Sequence, residues 1–143
     1  MTGLDTNVLV RFFLQDDPQQ SPKADAIMSA LTITEPGWIG VAAILELVWV
    51  MSRQNRIDRR GVTAILSQLL TREEIVIEHS NMVHSALQVY RNGNANFADC
   101  LIATSAKAAG CRRVVTFDRI AVRDAGMELI TQAPPPGFPQ VSL

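Results

Sequence analysis

Short apolar or β-branched runs alternate with longer stretches of helical spacing along nearly the whole chain, and this alternation narrows the choice of fold more than any motif does. Thr2–Asp5, Trp38-Ile39-Gly40, Ile75-Val76-Ile77, Arg113–Thr116 and Met127–Ile130 read as strands. Between them, Thr6–Leu14, Ser21–Leu31, Ala42–Arg53, Asn81–Arg91 and Asn96–Ala109 read as helices, the last stopped by Gly110. Asp58 is placed to cap a further helix whose Val62, Ile65, Leu66, Leu69 and Leu70 share one face. Such alternation requires right-handed crossovers, so the expected class is α/β, with a central parallel sheet of about five short strands and helices on both faces. A chain of 143 residues, 48% of them hydrophobic, is one domain's worth of core. The expected domain is 1–132, with a Pro-rich C-terminal tail at 133–143.

Several function classes lose support at once. The net charge of −1 gives no global field for nucleic acid, although a local basic stripe remains compatible with it. Cys100 and Cys111 lack metal-site spacing and read as free thiols of a reducing cytoplasm. The longest apolar run, Val41 to Met51, is too short to span a bilayer and contains Glu46. His79 and His84 have no Cys or His partner at zinc spacing. No Gly-rich phosphate loop and no Gly-x-Ser-x-Gly elbow occurs.

Four carboxylates stand beside apolar segments. Asp5 follows the first strand, Glu46 is the one charge in Val41–Met51, Asp99 interrupts Phe97-Ala98-Asp99-Cys100-Leu101-Ile102-Ala103, and Asp118 ends Val114-Val115-Thr116-Phe117-Asp118. A buried carboxylate without a partner costs several kcal/mol or takes up a proton. Four of them along one chain are explained if they converge on a hard divalent cation. In parallel sheets, ligands bind at the carboxyl ends of the strands, where Asp5 and Asp118 are expected.

Each acid also has an ordinary reading. Asp5 suits a helix start, Asn96 with Asp99 resembles a capping box, and Asp118 fits a turn after a strand. Glu46 resists such a reading best, since no cation stands three or four residues away. Asp16, Asp17, Asp25, Asp58, Asp124, Glu73, Glu74 and Glu78 read as solvated. The cluster Arg53, Arg56, Arg59 and Arg60 reads as a solvated loop or as a contact for an RNA backbone.

Taken in order, Asp5-Thr6-Asn7, an isolated Glu46 in an apolar helix, Phe97-Ala98-Asp99-Cys100-Leu101-Ile102-Ala103 and Thr116-Phe117-Asp118-Arg119 resemble the PIN-domain ribonucleases, VapC-type toxins in particular. The likeness runs roughly from Leu4 to Ile130 and departs from the pattern at Asn96, where many relatives carry Asp, and in the tail. It implies a single three-layer PIN-like domain and a Mg2+- or Mn2+-dependent endoribonuclease. It also implies a small cognate antitoxin, a homodimer and a cytoplasmic setting. Asp5, Glu46, Asp99 and Asp118 match the acidic positions, with Asp5 and Asp99 expected as principal metal ligands and Glu46 and Asp118 binding directly or through water. Thr6, Asn7 and Thr116 match polar supporting positions. All-oxygen donors suit either ion, in a one-ion or a two-ion arrangement.

Rival readings lack residues they need. A receiver domain requires an acid pair after the first strand and a Lys near the last; a haloacid-dehalogenase site requires Asp where Asn7 stands. A housekeeping RNA-processing nuclease or a PIN-fold binding module would present the same four acids.

Overall fold

The computed structural model describes residues 1–131, together with 137 and 142. The expected tail therefore falls almost wholly outside the described residues.

Three parallel strands form the main sheet in the order β1 (Thr2–Gly3), β2 (Gly37–Ile39), β3 (Ile75–Ile77). Two further parallel strands, β4 (Val115–Thr116) and β5 (Glu128–Leu129), pair with each other. Five short parallel strands were expected in one sheet; they occur as three plus two. With only two residues each, β1 and β4 offer few backbone groups for pairing, and among the described residues no backbone hydrogen bond joins them. Among the described residues, seven α-helices connect and flank the strands: α1 (Thr6–Leu14), α2 (Gln20–Ala30), α3 (Val41–Trp49), α4 (Arg59–Thr71), α5 (Ser80–Asn92), α6 (Phe97–Ala108) and α7 (Arg119–Ala125).

The local reasons are visible residue by residue. In β2 and β3, Gly37, Ile39, Ile75 and Ile77 are buried, whereas the cross-strand partners Trp38 and Val76 are partly exposed, so the period-2 pattern gives one closed and one more open face. Gly37 is closely packed: a Cβ there would come within 2.8 Å of the terminal methyls of Leu31 and Leu4, which would have to shift. The helix expected to reach Arg53 leaves α-geometry after Trp49 and continues as a π-helical turn over Val50–Gln54. That turn keeps Met51 in the core, and Ser52 returns its hydroxyl to the Val48 carbonyl at 2.7 Å. Asp58 caps α4 by accepting from the Gly61 N–H at 2.9 Å. The core runs through Leu9, Ile39, Ile44, Leu47, Met51, Leu66, Leu69, Leu87 and Phe97. Among the described residues, no helix is long and apolar enough to cross a membrane.

Candidate active site

The turns that end strands and start helices set the four acids. Asp5 leaves β1 in extended conformation immediately before α1, its side chain capping nothing, while the next residue, Thr6, is buried. The Leu4 N–H to the Trp38 carbonyl, 2.8 Å, holds that junction against β2. Glu46 lies in the second turn of α3, on the side opposite the buried Ile44, Leu47 and Val48. Asp99 occupies the first turn of α6, where the Asn96 side-chain oxygen caps the helix by accepting the Asp99 N–H at 2.8 Å. Asp118 caps α7, one carboxylate oxygen accepting from Ile120 N–H at 2.8 Å and Ala121 N–H at 3.2 Å.

Burial, the premise on which these acids stood out, is corrected by the structure. Asp5, Glu46 and Asp118 are exposed and Asp99 is half-buried. Apolar neighbours surround them in sequence because the other faces of the same helices enter the core. The helix starts supply N–H groups and a favourable dipole, which removes most of the expected cost.

Electrostatics ties two acids together. Burial, first, and the charge of Asp118, second, push the Asp99 carboxyl above its ordinary range, while the hydrogen bond from Asn96 works against both. Asp118 is therefore close enough for its charge to reach Asp99. Glu46 and Asp5 are joined to this pair through packing: α3 touches both α6 and α1. Among the described residues, no three His, Cys, Asp or Glu side chains cluster closely enough to hold a metal ion by themselves. The donor chemistry nevertheless fits a hard cation, because magnesium is commonly held by one or two carboxylates with waters and substrate phosphate completing the shell.

The supporting residues behave unequally. The Thr116 hydroxyl accepts the Asp118 N–H at 3.0 Å, which fixes the turn that presents the carboxylate. Asn7 is exposed and makes no side-chain hydrogen bond among the described residues, as is also true of the buried Thr6. Of the arginine cluster, Arg53, Arg56 and Arg60 are exposed. Arg59 is not available to RNA. Its guanidinium donates to the Tyr90 carbonyl at 2.6 Å and the Ala95 carbonyl at 2.9 Å, and it lies 4.1 Å from the Tyr90 ring centroid.

Glu78 and Asp124, both read as solvated, hold backbone near the candidate site. Glu78 follows β3 and accepts the Val41 N–H at 2.9 Å, capping α3, whose own N-cap, Gly40, has no side chain. Asp124 accepts the Asn94 N–H at 2.9 Å and tethers the loop that leads to Asn96. Glu78 carried a usable signal, since it stands at the carboxyl end of a strand as Asp5 and Asp118 do; Asp124 carried none.

Comparison with known proteins agrees with this geometry. A model of the PIN domain family matches residues 4–126, and the chain belongs to that family. It is also similar to a VapC ribonuclease of Aquifex aeolicus (strain VF5), with 24% identity over 119 residues, 83% of this chain and 88% of that protein.

Proposed function

We propose that the chain is a metal-dependent endoribonuclease that hydrolyses RNA phosphodiester bonds, acting as the toxin of a toxin-antitoxin pair. What supports the reading is membership of the PIN family and likeness to a VapC ribonuclease, together with acids at the starts of α1, α6 and α7, where the charge of Asp118 reaches Asp99. In this reading the nuclease domain is 1–132, and the partners are RNA, a small antitoxin and a second copy of the chain.

Asp5 and Asp99 would be the principal ligands of Mg2+ or Mn2+, with Glu46 and Asp118 contributing directly or through water. The bound ion supplies positive charge to the scissile phosphate and lowers the pKa of a water ligand. The chain's own residues do the positioning. Asn96 holds Asp99 at the start of α6, and Thr116 holds the turn under Asp118. Glu78, by capping α3, steadies the helix that carries Glu46. Exposed Phe117 beside Asp118 leaves the acid pair open to a macromolecular substrate.

The test is cleavage of total cellular RNA by the purified protein with Mg2+ or Mn2+, beside EDTA and the variants Asp5→Asn and Asp99→Asn. Discrete products that vanish with EDTA and with either substitution are expected. Products that survive EDTA, or a folded, metal-loaded and antitoxin-free protein that leaves every RNA intact, would overturn the proposal.

A further inference from the structure

A second concave surface lies away from the acids. A groove of about 1250 Å³ runs between the start of α5, the second half of α6 and the segment leading into β4. Its floor includes Ile77, Met82 and Val114, and Lys107, Arg112 and Arg113 stand around it, without a single carboxylate among its lining residues. Arg113 has an exposed partner in Glu128 at 3.7 Å, whereas Lys107 and Arg112 make no salt bridge among the described residues. The start of α5 also opens here: Ser80 and Asn81 line the groove, and the N-cap residue His79 makes no side-chain cap bond.

Two measures connect this groove to the acids. Asp99, Ala103 and Lys107 follow one another at four-residue spacing along one flank of α6, and the latter two line the groove. Eight residues of helix place Lys107 about 12 Å beyond Asp99, the length of roughly three to four nucleotides in a stacked strand. Along the other wall, Val114 lies in the groove and Asp118 four residues later carries the carboxylate.

We propose that this groove binds the phosphate backbone of the RNA strand three to four nucleotides away from the scissile bond, with Lys107 and Arg112 as the principal contacts. The inference rests on the ribonuclease reading above and assigns it a second contact region. Lys107 and Arg112, which make no salt bridge among the described residues, are complementary to a polyanion, and the described lining of the groove includes no aromatic ring on which a base could stack. The contact is therefore with phosphate and sugar and does not depend on sequence. It adds a basic RNA contact at the far end of the helix that carries Asp99, in addition to the exposed Arg53, Arg56 and Arg60; Arg59 is already engaged.

The test measures RNA binding without cleavage. Fluorescence anisotropy of a labelled mixed-sequence single-stranded RNA, and of oligouridine in parallel, is followed in EDTA between about 50 and 200 mM salt. The double variant Lys107→Ala/Arg112→Ala should bind both RNAs about 10- to 30-fold more weakly near 0.1 M salt, with the log–log salt slope reduced by about 1.4. In Mg2+ or Mn2+, KM for long RNA should rise while kcat stays near that of the parent protein. Lys23→Ala/Arg91→Ala removes the same charge from exposed positions outside the groove and should leave the slope unchanged. A parent protein that cleaves RNA while the groove variant keeps its salt slope would overturn this inference and leave the ribonuclease reading standing. An equal loss in the control pair would reduce the effect to net charge and overturn it too. Unchanged RNA binding with lost affinity for an acidic amphipathic helical peptide would make the groove a protein-docking site instead. A parent protein that neither binds nor cleaves RNA overturns both readings.

Discussion

Replacing Arg59 by Met separates a structural arginine from an RNA-binding one. Methionine keeps the aliphatic stem in place and removes the guanidinium. Two charge-assisted hydrogen bonds are lost, each worth about 1.5–3 kcal/mol, and with them a cation–π contact of about 0.5–1 kcal/mol. The half-buried position favours the low end of these ranges, and water can reach part of the vacated carbonyls, so the net loss should be about 3 kcal/mol. The Tyr90 carbonyl is one of the four at the end of α5 that the helix itself cannot pair, and no second donor to it is present among the described side chains. Urea unfolding should show a lower midpoint at unchanged m, equivalent to a fall in Tm on the order of 10 °C. Because Ala95 immediately precedes the Asn96 cap, amide exchange between Asn92 and Asp99 should accelerate as well, and cleavage should weaken through the loosened start of α6. Arg60→Met, at an exposed neighbour, should remain within about 0.5 kcal/mol of the parent. Arg59→Met with parental stability and selectively reduced RNA affinity would refute the argument.

Three further outcomes follow from the same geometry. Asp118→Ala should cost about 1 kcal/mol by uncapping α7, whereas Asp118→Asn keeps a capping oxygen and should be near neutral in thermal unfolding; both should lose RNA cleavage. Asp99 has a folded pKa raised above its unfolded value of 3.8, so the folded chain holds a proton that the unfolded chain has already lost. Its contribution to stability is greatest below that value and declines as pH rises through the folded pKa. Asp99→Asn should therefore raise the midpoint of the metal-free protein at neutral pH and steepen its fall toward acid pH, and no change in either would contradict the raised Asp99 carboxyl. Burial pushes the Cys100 thiol up to about 11, while Cys111 is exposed, so iodoacetamide at neutral pH should label Cys111 alone until the protein unfolds.

What could be read from the chain alone depended on the range of the interaction. The bounds of α1 and β3, the Asp58 cap and the Asn96 cap lie within three or four residues of the signals that announce them, and the structure agrees at each. The seven-residue α7 is too short to display a period, so Asp118 was legible as a turn residue but not as that helix's cap. Arg59 finds its carbonyls 31 and 36 residues away, and Glu78 caps a helix 37 residues earlier in the chain. No local pattern distinguishes Arg59 from Arg60, and the strand end that marks Glu78 does not say which helix it will cap. Only the fold decides which one meets an orphaned backbone group.

Glu46 shows how an exposed acid can look buried in sequence. Ala42, Glu46 and Trp49 recur at the spacing of one helical stripe, and that stripe faces solvent, with Trp49 55% exposed. An apolar solvent stripe is unusual on a helix, and it removed the polar neighbours that would have marked the outer face. The case for a functional acid cluster consequently does not rest on the cost of burial. It rests on the placement of Asp5, Asp99 and Asp118 at the starts of α1, α6 and α7 in a PIN-family chain, where a short turn fixes each carboxylate and the charge of Asp118 adds to burial in raising the Asp99 carboxyl.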